Sequence, residues 1–85
     1  MSHSRRSQFQ EVQGLAVATL RRVFQKNRVV ATIVAAPAHL DAPTVDVTVS
    51  GYRWRVRTDG VISAFPDHAP IPLQRQVTAL VAEVG

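Results

Sequence analysis

The chain contains no cysteine among its 85 residues. This absence excludes disulfide bonds, thiolate metal sites and a cysteine nucleophile. Small secreted domains usually carry disulfides, so we expect this protein in the reducing cytoplasm. The positive charges of residues 1–7 have no apolar run behind them, which is not typical of a signal peptide. No segment has the length of a membrane span, and we expect no membrane partner.

Acidic residues are also scarce. Six Asp and Glu stand against ten Lys and Arg, which gives a formal net charge of +4 and a pI of about 11.2. This balance favours nucleic acid or an acidic protein surface as the partner. The same charge is equally compatible with a solvated surface that keeps a small domain soluble.

Recognisable catalytic and metal-binding motifs are missing. The three histidines, His3, His39 and His68, do not have the spacing of metal ligands. No serine stands in a recognisable nucleophile arrangement, and the four glycines form no phosphate loop. We therefore expect a protein that is not an enzyme and that uses neither a cofactor nor a metal.

What the sequence does contain is a strictly alternating segment at residues 44–57. Side chains alternate between the two faces of a strand, and the Ser50-Gly51 pair is typical of a two-residue hairpin turn. Such a turn fixes the register of the two strands. It pairs Val49 with Tyr52, Val47 with Trp54 and Val45 with Val56 on one face, and Asp46 with Arg55 and Thr48 with Arg53 on the other.

Helical spacing of apolar residues predicts a helix at each end of the chain. The first runs from Gln8 to Lys26, with Ser7 as its cap, and follows a flexible basic tail at residues 1–6. The second begins with Pro72 at its first position and ends before Gly85, a potential cap. Its apolar stripe consists of Leu73, Val77, Leu80, Val81 and Val84.

Two further strands complete the pattern. The β-branched run at residues 29–36 predicts a short buried strand, and residues 37–43 form a loop. Residues 61–65 follow the Asp59-Gly60 turn signal and predict another strand. A two-residue loop turns Val61, Ser63 and Phe65 to the core, and a three-residue loop turns Ile62 and Ala64 there. We favour the first, because Phe65 then lies opposite Trp54.

The predicted fold is a single α+β domain at residues 7–85 with the order α-β-β-β-β-α. It has an antiparallel sheet of three to four strands, and both helices cover the same face because each has only one apolar stripe. We therefore expect Trp54 in the core. The three arginines between the hairpin's core residues then face solvent, and we call Arg53, Arg55 and Arg57 the arginine comb.

The order helix, three antiparallel strands, helix resembles the double-stranded-RNA-binding domain. That family carries a Gly-Pro-x-His-like loop after its first strand, and Ala36-Pro37-Ala38-His39 matches it except at the glycine. The resemblance implies that His39 contacts a minor groove. The family's lysine-rich phosphate clamp has no counterpart here, because residues 72–76 contain only Arg75 as a cation.

The comb is the best candidate for a binding site. Residues two apart on a strand repeat at about 6.8 Å, which is close to the spacing of phosphates along a nucleic-acid strand. We expect a non-catalytic nucleic-acid-binding module. The alternative is a protein-interaction module, such as an inhibitor or accessory protein of phage or mobile-element origin, that binds an acidic protein. A second basic group, called the helix-end cluster, consists of Arg21, Arg22, Lys26 and Arg28.

A chain this short, with a sheet edge and helix flanks left to cover, is expected to form a homodimer. Equilibrium sedimentation over a wide range of protein concentration will measure this. We expect the mass to approach twice that of the chain as the concentration rises. A mass that stays at one chain at the highest concentration would contradict the prediction.

Overall fold

The computed structural model describes residues 4–37 and 42–84. Its elements follow the predicted order, and the four strands form one antiparallel sheet in the order β1-β2-β3-β4. The α+β class and the element order are therefore confirmed. Within the described residues, neither helix is both long and apolar enough to cross a membrane. The elements are α1 (Ser4–Lys26), β1 (Thr32–Ala35), β2 (Thr44–Val49), β3 (Tyr52–Arg57), β4 (Ile62–Ala64) and α2 (Ile71–Ala82).

The β2–β3 hairpin has the predicted register throughout. All five predicted pairs are present, including Val47 with Trp54 and Asp46 with Arg55. The backbone has positive φ at both turn residues, 53° at Ser50 and 83° at Gly51. Positive φ at both positions matches a type I′ turn, whose twist suits the flanking strands. The turn and the alternation therefore specify the same pairing.

Helix α1 begins earlier than the sequence pattern predicted. It starts at Ser4, so Ser7 lies inside the helix and the prediction that it caps the N-terminus is wrong. Residues 4–6, which we assigned to the tail, are helical. No glycine or proline interrupts residues 4–13, and arginine and glutamine favour the helix, so nothing in this segment ends it at Ser7.

Strand β1 is shorter than the predicted segment at residues 29–36. Val29, the first of those residues, belongs to the end of α1, because its amide donates to the Phe24 carbonyl at 2.9 Å. The Arg28 amide donates to Gln25 at 3.0 Å, and the two bonds together form a Schellman motif. The chain therefore enters the sheet only at Thr32.

The predicted facing of the fourth strand is wrong. The Arg57 amide donates to the Val61 carbonyl at 2.8 Å, which leaves three residues, 58–60, in the loop. Gly60 has a φ of 89°, which glycine adopts without a steric penalty. The register then pairs Ile62 with Val56 and packs it against the core. Phe65, which we expected opposite Trp54, is 56% exposed.

Helix α2 begins one residue before its predicted start. Ile71 is its first residue, so Pro72 occupies the second position rather than the first. This costs no hydrogen bond, because the first four amides of a helix have no partner within it. Val77, Leu80 and Val81 of the predicted stripe are buried, and Leu73 and Val84 pack against them. Gly85, the predicted cap, lies outside the described residues.

Both helices cover the same face of the sheet, as predicted. Leu20 and Phe24 of α1 join Val77 and Val81 of α2 in one cluster with the apolar face of the hairpin. Trp54 lies in this cluster with an exposure of 0%, which confirms its predicted burial. Among the described residues, no acceptor lies within hydrogen-bonding distance of its indole Nε1. Within the described residues, the Trp54 side chain is therefore held by packing alone.

We expect Trp54→Ala to lower the free energy of unfolding by about 3 to 5 kcal/mol, because it removes the largest fully buried side chain. Trp54→Phe should cost clearly less, since it keeps an aromatic ring and removes a buried donor that has no partner. Urea denaturation of the three proteins, followed by circular dichroism, measures both values. Equal losses in the two variants would contradict this account of the core.

Candidate nucleic-acid interface

The arginine comb lies on the face of the sheet opposite the helices. Trp54 and Val56, which alternate with it along β3, are buried, and Arg53 and Arg57 are exposed. Arg55, between them, is partly buried. The predicted orientation is therefore confirmed. The three guanidinium groups start from one strand at a repeat of about 6.8 Å.

The central arginine of the comb is held by a cross-strand carboxylate. Arg55 Nε donates to Asp46 Oδ1 at 3.1 Å, as the register predicted. The Asp46 side chain is only 11% exposed, because it lies on β2 between Val34 of β1 and Arg55 of β3. A carboxylate this shielded needs its cation, since an unpaired buried charge is strongly destabilising. Arg55 is therefore fixed in position by the fold.

The arginine at the end of β3 has a looser partner. Arg57 Nη2 lies 3.3 Å from Asp59 Oδ2, and both side chains are about half exposed. Asp59 Oδ1 also accepts the Val61 amide at 3.2 Å. The sequence indicated only a turn role for Asp59, so this ion pair was missed. Exposed pairs of this kind contribute about 0 to 1 kcal/mol, so another anion can replace the Asp59 carboxylate.

Arg53 differs from its two neighbours. Within residues 4–37 and 42–84 it makes no ion pair, whereas the other comb arginines each pair with one carboxylate. Asp67 lines a groove together with Arg53, but the two side chains form no ion pair. Arg53 is therefore the comb arginine whose charge no ion pair among the described residues neutralises.

A groove beside the comb was not predicted from the sequence. It has a volume of about 380 Å³ and lies between β3 and the segment that follows β4. Phe65 is the first residue after β4, where the pairing of β3 with β4 is irregular, and it forms part of the groove wall. The lining residues are Gly51, Tyr52, Arg53, Arg55, Ala64, Phe65, Pro66 and Asp67.

The helix-end cluster lies elsewhere. Arg21 Nη2 donates to the Ile33 carbonyl of β1 at 3.0 Å. Arg21 and Arg28 line a cleft of about 550 Å³ whose other walls are largely apolar, including Phe24 and Val30. This cleft borders β1, and the comb groove borders β4, at the opposite edge of the sheet. Three strand spacings, about 14 Å, separate the two edges, so the structure does not unite the basic groups.

The other two members of the helix-end cluster are exposed on α1. Arg22 and Lys26 are four residues apart, which places them on the same side of the helix. They do not line the cleft that Arg21 and Arg28 share. His39, the residue implied by the family resemblance, lies outside the described residues.

Gln13 was not singled out in the sequence, although it is one of three buried polar or charged residues among those described. Its Nε2 donates to the Ala36 carbonyl at 3.2 Å and to the Thr44 carbonyl at 2.9 Å. These bonds tie α1 to both ends of the segment that connects β1 and β2. The sequence did carry a signal for Gln13. It lies three residues before Ala16 and seven before Leu20, a spacing that places all three on the same, buried side of α1.

Comparison with known proteins gives no further guide. No protein-family model, curated protein or solved structure matches the chain. Among residues 4–37 and 42–84, no three His, Asp or Glu side chains come together in a group that can hold a metal ion. The candidate site therefore rests on the geometry of the comb and its groove.

Arg28 adopts a backbone conformation that suits glycine. Its φ of 59° lies in the left-handed region, at the position of the Schellman motif where glycine is usual. We expect Arg28→Gly to raise the free energy of unfolding by about 0.5 to 1 kcal/mol. The matched control is Arg28→Ala, which removes the same charge but keeps the strained conformation. Thermal and urea unfolding should show no gain for this control; equal stability of the two variants would exclude strain at Arg28.

Proposed function

We propose that this protein is a non-catalytic module that binds the phosphate backbone of nucleic acid through the arginine comb. The observation that carries the proposal is the row of Arg53, Arg55 and Arg57 at alternate positions of β3 on an open sheet face. Its repeat of about 6.8 Å allows successive phosphates of one strand to meet successive guanidinium groups. The cysteine-free composition fits a cytoplasmic setting for this activity.

The three arginines support this role in different ways. Arg53 offers an uncommitted positive charge within the described structure, and Arg57 can exchange its exposed carboxylate partner for a phosphate. Arg55 pairs with Asp46 through Nε only, which leaves its Nη groups as donors. A guanidinium that is already oriented loses less conformational freedom on binding than a mobile one. Arg55 therefore presents its guanidinium group at a fixed position, and Arg53 and Arg57 provide most of the charge that a phosphate would meet.

One observation favours the alternative, a protein-interaction module for an acidic partner. The cleft beside β1 combines apolar walls with two cations, Arg21 and Arg28, and Val30 at its rim is 91% exposed. An acidic segment with apolar anchors would be complementary to these walls. This surface is distinct from the comb, so variants can separate the two functions.

The test compares two double variants that change the net charge equally. Arg53→Ala/Arg57→Ala and Arg22→Ala/Lys26→Ala each lower it from +4 to +2 (4 − 2). We expect the comb variant to weaken binding to all nucleic-acid sequences alike and to flatten the salt dependence by up to about two units of slope. Arg55 is retained, because its removal would leave the shielded Asp46 carboxylate without a partner. Filter binding to duplex and single-stranded DNA and RNA at several salt concentrations measures the effect.

The helix variant is the control for net charge. If both variants weaken binding equally, general charge rather than the comb governs affinity. If the unaltered protein binds none of the nucleic acids at low salt, the proposal fails. Capture of an acidic protein that is lost on Arg21→Ala/Arg28→Gly would then support the alternative.

A further inference from the structure

Phe65 is far more exposed than Trp54 and Phe24, the aromatic residues of the described core. Trp54 is fully buried and Phe24 is 1% exposed, whereas Phe65 is 56% exposed. A single exposed apolar side chain needs no explanation by itself. The surroundings of Phe65 do call for one, because its groove is shared with Arg53 and Arg55 of the comb.

We propose that this groove takes one unpaired nucleobase, which stacks on the Phe65 ring while its phosphate binds Arg53. The inference rests on the proposed function and narrows it to single-stranded nucleic acid. Base stacking on an exposed aromatic ring beside a positively charged surface is the general means by which proteins hold single strands. A base within a duplex is already stacked between its neighbours, so it is not free to enter the groove.

The size and the lining of the groove fit this ligand. A volume of about 380 Å³ is in the range of sites for small organic groups. Ala64 and Pro66 flank Phe65 in the chain and line the groove with it, which gives the ring apolar neighbours. Arg53 supplies the charge that a phosphate requires. The groove therefore offers both an apolar surface for a ring and a cation for the group attached to it.

The remaining charged residue of the groove indicates which bases are favoured. Asp67 lines the same groove, and its carboxylate repels phosphate and accepts hydrogen bonds. Cytosine, adenine and guanine carry exocyclic amino groups that can donate to it. The N3–H of thymine and uracil lies between two carbonyl oxygens, which a carboxylate repels. We therefore infer a preference for bases with an amino group, with the base edge toward Asp67.

Fluorescence anisotropy with labelled oligo(dC), oligo(dT) and a blunt DNA duplex at low salt tests the proposal. For Phe65→Ala we expect about tenfold weaker binding to oligo(dC) and unchanged binding to the duplex. Phe65→Trp should keep the affinity, and the fluorescence of the added tryptophan should be quenched by the bound strand. Phe65→Leu, which is apolar but has no aromatic ring, should behave like Phe65→Ala.

The matched control is Val61→Ala, because Val61 is similarly exposed at 52%, lies just before β4 and does not line the groove. It should bind like the unaltered protein. Unchanged oligo(dC) affinity in Phe65→Ala would overturn the stacking proposal and leave backbone binding by the comb intact. Equal affinity for oligo(dC) and oligo(dT) would overturn the role of Asp67. If the unaltered protein binds neither single strands nor the duplex, the proposed function is overturned as well.

Discussion

The packing of Trp54 against Val47 beneath both helices is the interaction on which the rest of this structure depends. The two residues are directly paired across the hairpin, and each is fully buried. A shift of one residue in the register would move every hairpin side chain to the opposite face. The burial of one large ring therefore also places the arginines of β3 in solvent. The core and the arginine comb are two consequences of one alternation.

The charges on the open face are balanced by the same pairing. Three neighbouring guanidinium groups repel one another, and the register brings Asp46 beside the central one. The loop at residues 58–60 places Asp59 beside Arg57. This arrangement stabilises the unbound protein, but it also reduces the field that would attract any polyanion. The affinity of such a surface for an anion would depend more on where its arginines are held than on their total charge.

Much of the fold could be predicted from the sequence, because the hairpin, the helix stripes and the buried tryptophan follow strict periodicities. The predictions failed where the local geometry of the backbone determines the structure. Asp59-Gly60 is compatible with two loop lengths, and the register shift between β3 and β4 breaks the alternation before Phe65. The comb was visible as an alternation, whereas its groove depends on that irregular pairing and could not be inferred. The bonds of Gln13 were missed because they join segments whose relative placement is known only after folding. The ion pair of Arg57 with Asp59 was missed because it depends on the conformation of the loop at residues 58–60.

The two edges of the sheet explain why the open face is the better candidate for binding. In the antiparallel pattern the Ile33 carbonyl points away from β2, and Arg21 already donates to it. At the other edge, β4 has only three residues and an irregular register. Both edges thus carry features that hinder the addition of another strand. Side chains rather than backbone groups are left to recognise a ligand, and the comb with Phe65 presents them together.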